Sequence, residues 1–144
     1  MSAIELIKSS PLFHDLYEDE IELIVKSCEV LFFKPEENII HDGDEGTEIF
    51  IVLKGMAEVR KTLPDKTEIK ISVLHEGDMF GETSLIDEPR TADVLALTNC
   101  DVLSIYKEDL LALYPKKAKI FSVLALNMAR LLAKRLKTAN QKIH

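Results

Sequence analysis

The residues of this chain best suited to chemistry fall in one window, residues 77–94, GDMFGETSLIDEPRTADV. Gly81 precedes a stretch of helix-start composition, Glu82 to Asp87, which Pro89 then closes. The spacing predicts a single helical turn here. The start of such a turn carries backbone N–H groups with no partner inside it, and its dipole also favours an anion. Arg90 adds a permanent positive charge with a forked set of donors suited to a phosphate diester. Glu82 opens the turn, where its carboxylate is placed to accept a hydrogen bond from a sugar hydroxyl. Taken singly, each residue has a plainer account, Glu82 as a first-turn acid and Arg90 as a solvated loop charge. An amide nest, one arginine and one hydroxyl acceptor within nine residues, flanked by glycines, instead describe a reader of phosphate plus ribose.

Other reactive constellations are weak. His14, His41, His75 and His144 form neither H-x-H nor H-E-x-x-H, so no metal site is expected. Asp42, Asp44, Glu45 and Glu48 lack the frame of a calcium loop. Ser72, Ser84 and Ser104 stand in no G-x-S-x-G context, and no P-loop is present. Cys28 and Cys100 are lone thiols without a neighbouring base in sequence, which reads as reduced and partly buried. No catalytic residues are expected, and the chain reads as a non-enzyme.

The elements that must position the window change period along the chain. Residues 2–28 read helical, with Ile21, Ile24, Val25 and Cys28 on one face of a 3.6-residue repeat. Short β runs follow at Val30–Phe33, Asn38–Ile40, Ile49–Lys54, Ala57–Thr62, Ile69–Leu74, Ala92–Ala96 and Val102–Tyr106. Pro35, Gly43, Gly46, Gly55, Pro64-Asp65, Gly77 and Asn99 punctuate them. Strands this short and regular predict an antiparallel barrel or sandwich. From Lys107 to about Lys137 the pattern returns to helix, with Pro115 expected in the first turn of a second, longer helix. Phe121, Ala125, Met128, Leu132, Leu136, Ala139 and Ile143 form one stripe, widened by Ile120, Val123, Leu124 and Leu131. So apolar a helix implies a wide groove in the body or a homodimer contact.

The 144 residues carry 25 acids and 18 bases, a net charge of −7, and fit one domain, residues 1–144, with an unstapled core. Residues 1–109 hold every acid, for −15, whereas residues 110–144 hold eight bases and no acid, for +8. The body repels nucleic acid, and a basic helix lying on an acidic body explains the tail better than a DNA contact does. No apolar run approaches the roughly 20 residues of a membrane span, so no membrane insertion is expected. No basic-then-apolar leader opens the chain, and the expected location is cytoplasmic.

Phe80-Gly81-Glu82-Thr83-Ser84-Leu85 and Pro89-Arg90-Thr91-Ala92 resemble the phosphate-binding cassette of the cyclic nucleotide-binding domains, F-G-E-x-[AS]-L followed by P-R-[STA]-A. Pro11-Leu12-Phe13, the run Asn38 to Gly46, the run Ile49 to Gly55 and Gly77-Asp78-Met79 are similar to the rest of that family, from about Leu6 to Tyr106. The resemblance implies a mainly β fold, an antiparallel double-stranded β-helix (a jelly-roll-like β-roll). Helices at residues 1–29 precede the roll at 30–106, its cassette spans 80–92, and a long C-terminal helix lies within 107–144. It implies a regulatory module that binds cAMP or cGMP as ligand and uses no cofactor. Gly81, Glu82, Thr83, Ser84, Arg90, Thr91 and Ala92 would hold the nucleotide, with Arg90 on the phosphate and Glu82 on the ribose 2′-hydroxyl. Leu85 and Ile86 would relay motion to the C-terminal helix, whose Leu131 and Arg135 are the candidates to cap the base. Two features depart from the pattern: residues 85–90 run about one residue short, and Glu36 replaces a glycine common after the proline. Thr91 resembles cGMP-selective members, although bacterial cAMP binders use Ser or Thr there, and cAMP is slightly favoured. The expected partners are an effector protein and a second copy joined through the long helix, with no direct DNA contact. The alternative is a ligand-free β-roll serving interaction or dimerisation.

Overall fold

In the computed structural model, which describes residues 2–143 and only the backbone of the last two of these, the chain alternates helical caps with two sheets. Helix α1 (Ala3–Ser9), a 3-10 turn (Pro11–Phe13) and α2 (Glu18–Val25) lead into β1 (Glu29–Phe33). Strands β2 (Asn38–Ile40), β3 (Glu48–Lys54), β4 (Ala57–Thr62), β5 (Glu68–Leu74) and β6 (Met79–Phe80) follow. A second 3-10 turn (Glu82–Ile86) precedes β7 (Asp93–Ala96), β8 (Cys100–Tyr106), α3 (Lys107–Lys116) and α4 (Ala118–Ile143). All pairings are antiparallel, in two four-stranded sheets ordered β1-β8-β3-β6 and β2-β7-β4-β5. This is the expected β-roll with flanking helices.

The period of two decides which side each residue serves. Strand β3 is apolar throughout its middle because both of its faces are covered. Ile49, Ile51 and Leu53 join Ile7, Leu12, Phe13, Ile24 and Leu124 in a core between the first sheet and the helices. Phe50 and Val52 point the other way, into a second core with Ile40, Phe80, Val94 and Val102 between the sheets. Phe50 stacks on Phe80 with ring centroids 5.1 Å apart.

Several sequence expectations need correction. Helix α2 ends at Val25, so Cys28 lies beyond it, although its thiol still donates to Ile24 O (3.3 Å). Strand β6, two residues long, carries no detectable period and was not expected. Pro115 sits near the end of α3, not at the start of the next helix, and the break falls at Lys117 with φ −138° and ψ 62°. A proline this close to a helix end removes only one late hydrogen bond. Helix α4 runs on past Lys137 to Ile143, whose side chain lies outside the described residues, as does His144. Its buried line is Ile120, Leu124, Asn127 and Met128, whereas Leu126 and Leu136 are exposed. The basic tail does lie on the acidic body, with Lys119 Nζ 2.9 Å from Glu20 Oε2. Among the described residues no helix is long and apolar enough to cross a membrane.

Glu36 accounts for one departure from the family pattern. Glu37 N donates to Lys34 O (3.1 Å) across Pro35-Glu36, and Glu36 sits at φ +71°, so this is a turn whose third residue is left-handed. A side chain there is strained by roughly 1–2 kcal/mol, offset in part by the greater backbone entropy a glycine would lose. Glu36→Gly is therefore expected to stabilise the fold by about 1 kcal/mol, read as a raised urea midpoint at unchanged slope. A lowered midpoint would contradict this account of the turn.

Candidate functional site

Gly81 leaves β6 at φ +78°, and Asp87 closes the 3-10 turn in the same left-handed region at φ 55°. Asp87 is fastened by an ion pair to Lys107 at the start of α3 (2.6 Å). Glu88 N reaches back to Thr83 O (3.4 Å), and the chain then delivers Arg90 to the turn at residues 41–46. Arg90 N donates to Asp44 O and Gly43 N donates to Arg90 O, both at 2.8 Å. The short cassette is thus clamped at both ends.

Arg90 is buried, with 6% of its surface exposed. Its Nη1 donates to Gly81 O (2.7 Å) and its Nη2 to Glu48 O (2.8 Å), while its Cζ lies 5.8 Å from the centre of the Phe50 ring. Among the described residues no carboxylate forms an ion pair with it. Burial lowers its pKa from the ordinary value, opposed by the more distant Glu48 and Glu82 charges. The guanidinium remains a cation with five N–H donors, of which these contacts engage two. Carbonyl dipoles compensate its desolvation only in part.

A cavity of about 200 Å³ opens beside it. Gly81, Glu82, Thr83, Arg90, Thr91 and Ala92 line one side, and Ile40, Val59, Leu74, Phe80 and Val94 form an apolar wall opposite. Six of the seven residues expected from the cassette therefore meet at one cavity. Ser84 does not line it: fully buried, it donates its hydroxyl to Glu48 O (3.3 Å), the carbonyl that also holds Arg90. Of the two capping candidates, Arg135 reaches the cavity, pairs with Glu82 Oε1 and donates to Met79 O. Leu131 instead packs against the helical core and lines a different cleft. Leu85 also packs on that core, whereas Ile86 is 68% exposed.

Sequence reading missed one positioning residue. A Cβ on Gly46 would fall within 2.8 Å of Arg90 Nη1 and collide with the rest of the guanidinium. In sequence Gly46 reads as turn punctuation; nothing local shows that a side chain from 44 residues away crosses it.

The comparisons agree with this geometry. Residues 30–117 match the model of the cyclic nucleotide-binding domain. Over 138 residues the chain is 32% identical to the cyclic AMP receptor protein of Thermus thermophilus, covering 95% of this chain and 62% of that protein. The N-terminal domain of a transcriptional regulator from Streptomyces coelicolor superposes with a TM-score of 0.73 at 27% identity, covering 94% of this chain and 95% of that one. A cyclic nucleotide-binding domain from Methylobacillus flagellatus gives a TM-score of 0.85 over 97% of this chain and 79% of that one, and at 23% identity it speaks to the fold. The chain belongs to the cyclic nucleotide-binding domain family. It is a regulatory binding domain, and it spans a little under two thirds of the length of the curated receptor it matches. A relative named as a transcriptional regulator removes the ground for excluding DNA as a partner of the whole protein.

Gly46→Ala is expected to push the Arg90 guanidinium off both carbonyls and cost about 1–3 kcal/mol, the usual range for overpacking. Urea denaturation gives the cost, and the Arg90 Nε–H resonance reports the displacement. An unmoved resonance at wild-type stability would show that Arg90 does not need this gap.

Proposed function

We propose that the chain is a receptor module for a cyclic nucleotide, with cAMP favoured over cGMP, and that the ligand seats in the cavity beside the 3-10 turn. One observation carries the reading: a buried guanidinium, held by two carbonyls and paired with no carboxylate among the described residues, borders a cavity at the start of the 3-10 turn. A phosphate diester is singly negative, has two free oxygens and would complete the compensation that carbonyls leave unfinished. Gly81, Glu82 and Thr83 would border the phosphate and ribose, with Thr91 and Ala92 across from them and Ser84 holding the turn from beneath. The apolar wall suits a base. The similarity to a protein named as a cyclic AMP receptor supports cAMP. Thr91, which lines the cavity, keeps cGMP as the competitor.

Glu82 is engaged by Arg135 in this structure, so a ribose hydroxyl at Glu82 would compete with an arginine of α4. Nucleotide binding would then shift the end of that helix, which makes α4 the output element, read by an effector protein or by a second copy across exposed Leu126 and Leu136. The thiols fit a reducing cytoplasm: burial, then the Asp109 charge, pushes Cys28 up to about 12, and burial also raises Cys100. The exposed apolar residues of α4 also favour a second reading, a dimerisation module that needs no ligand.

Calorimetric titration with cAMP and with cGMP separates the two. Binding of either, weakened at least about tenfold in Arg90→Ala, is expected, since hydrogen bonds to charged groups contribute roughly 1.5–3 kcal/mol. A ligand at 100 times its Kd should also raise stability by about 2.7 kcal/mol. Unchanged affinity in Arg90→Ala would remove the cavity from the reading, and no binding by folded protein would leave the dimerisation module.

A further inference from the structure

A second cleft, of about 470 Å³, lies between α4 and the segment joining α1 to the first 3-10 turn, apart from the cassette cavity. Its chemistry is cationic. Arg130 and Lys134 line it one helical turn apart on α4, and among the described residues neither forms an ion pair with a carboxylate. Lys8, also at the cleft, is already taken by Glu18, and His14 faces Asp15 at 3.5 Å.

Two buried polar groups show that the cleft is built. Asn127, 2% exposed, donates from Nδ2 to Leu12 O (2.8 Å) and His14 O (2.7 Å), pinning α4 to the opposite wall. Its Oδ1 accepts from Arg130 Nη1 (3.3 Å), which holds the guanidinium at the cleft. Ser10, 6% exposed, lines the same cleft, and its hydroxyl has no hydrogen-bond partner. The Ser10 oxygen is closed off from solvent as placed, so its side chain would have to rotate to donate to a ligand in the cleft, and making the missing hydrogen bond would favour that rotation.

We infer that this cleft is a second anion site, selective for a phosphate monoester dianion. Two cations without carboxylate partners match its two negative charges, and a forked guanidinium, an ammonium and a hydroxyl match its three terminal oxygens. A cyclic phosphate diester, with one charge and two free oxygens, fits it less well. The neighbours Lys134 and Arg135 line different cavities, so α4 stands between the two sites. The monoester belongs either to a small phosphorylated molecule or to a phosphorylated side chain of a partner protein.

The test follows the Ser10 amide and the Arg130 Nε–H by NMR while the full chain is titrated with inorganic phosphate and, separately, with a short phosphoserine peptide. Saturable shifts at both signals are expected in the unsubstituted chain, with binding weakened at least about tenfold in the folded R130Q/K134Q variant, read at the Ser10 amide, and less in Ser10→Ala, read at the Arg130 Nε–H. Cyclic AMP titrations should be unchanged in R130Q/K134Q. Tighter binding of the peptide assigns the site to a phosphoprotein, and equal binding assigns it to free phosphate. No saturable shift with either probe, an unchanged affinity in R130Q/K134Q, or shifts confined to Arg90 and Thr83 would each overturn the inference.

Discussion

Much of this molecule is arranged around the cost of holding one guanidinium out of water. Arg90 reaches back beneath the cassette turn and uses two main-chain carbonyls, those of Gly81 and Glu48, as its acceptors. For the side chain to pass, Gly46 must lack a Cβ. Gly81 must turn left-handed, and Phe50 must present its ring. The first residues of β3, the cassette and the loop at residues 41–46 are therefore fixed relative to one another by a single charge. A neutral residue at position 90 would take this donor from Glu48 O and Gly81 O and leave the gap at Gly46 unfilled.

That arrangement depends on β3 and β8 serving two cores at once. Their alternate residues feed the helical core on one side and the space between the sheets on the other. Beyond the second of these cores lies the cassette cavity; against the first lie the N-terminal helices, α3 and α4. Two contacts join the cassette to the helices: Leu85 packs on the helical core, and the Glu82–Arg135 pair crosses directly to α4. Asn127 ties the middle of α4 to the N-terminal segment by two hydrogen bonds.

Most strands were legible because a period of two survives in four to seven residues, and the three-residue β2 is bounded by turn residues; in β5 the alternation is present although its apolar members Ile69, Ile71 and Val73 are exposed. The cassette was legible because its glycine, acid, proline and arginine are close in sequence, and six of its seven expected residues line one cavity. Strand β6 was not, since two residues carry no period; it exists because the edge of β3 at Phe50 and Ile51 accepts it. Leu131 and Arg135 are one turn apart and were expected to act together. Leu131 shares the face of Asn127, which is pinned to the N-terminal segment, so it packs there. Arg135 has the length to reach around to Met79 and Glu82.

What the sequence determined by itself is local: the alternation that makes a β-roll, the turn residues between strands, the unequal charge of body and tail, and the set of groups that suits a phosphate and a sugar. Apart from the charge balance, each follows from patterns spanning at most a few tens of residues. The tertiary structure decided how those groups are used. It buried Arg90 and chose its acceptors, turned Ser84 inward as a prop and set Arg135 on Glu82. It also closed a second, cationic cleft around Ser10 and Arg130. Apart from the bond from Arg90 to Gly81 O, these are contacts between segments tens to more than a hundred residues apart, and such distances are set by how sheets and helices pack, which no local pattern encodes.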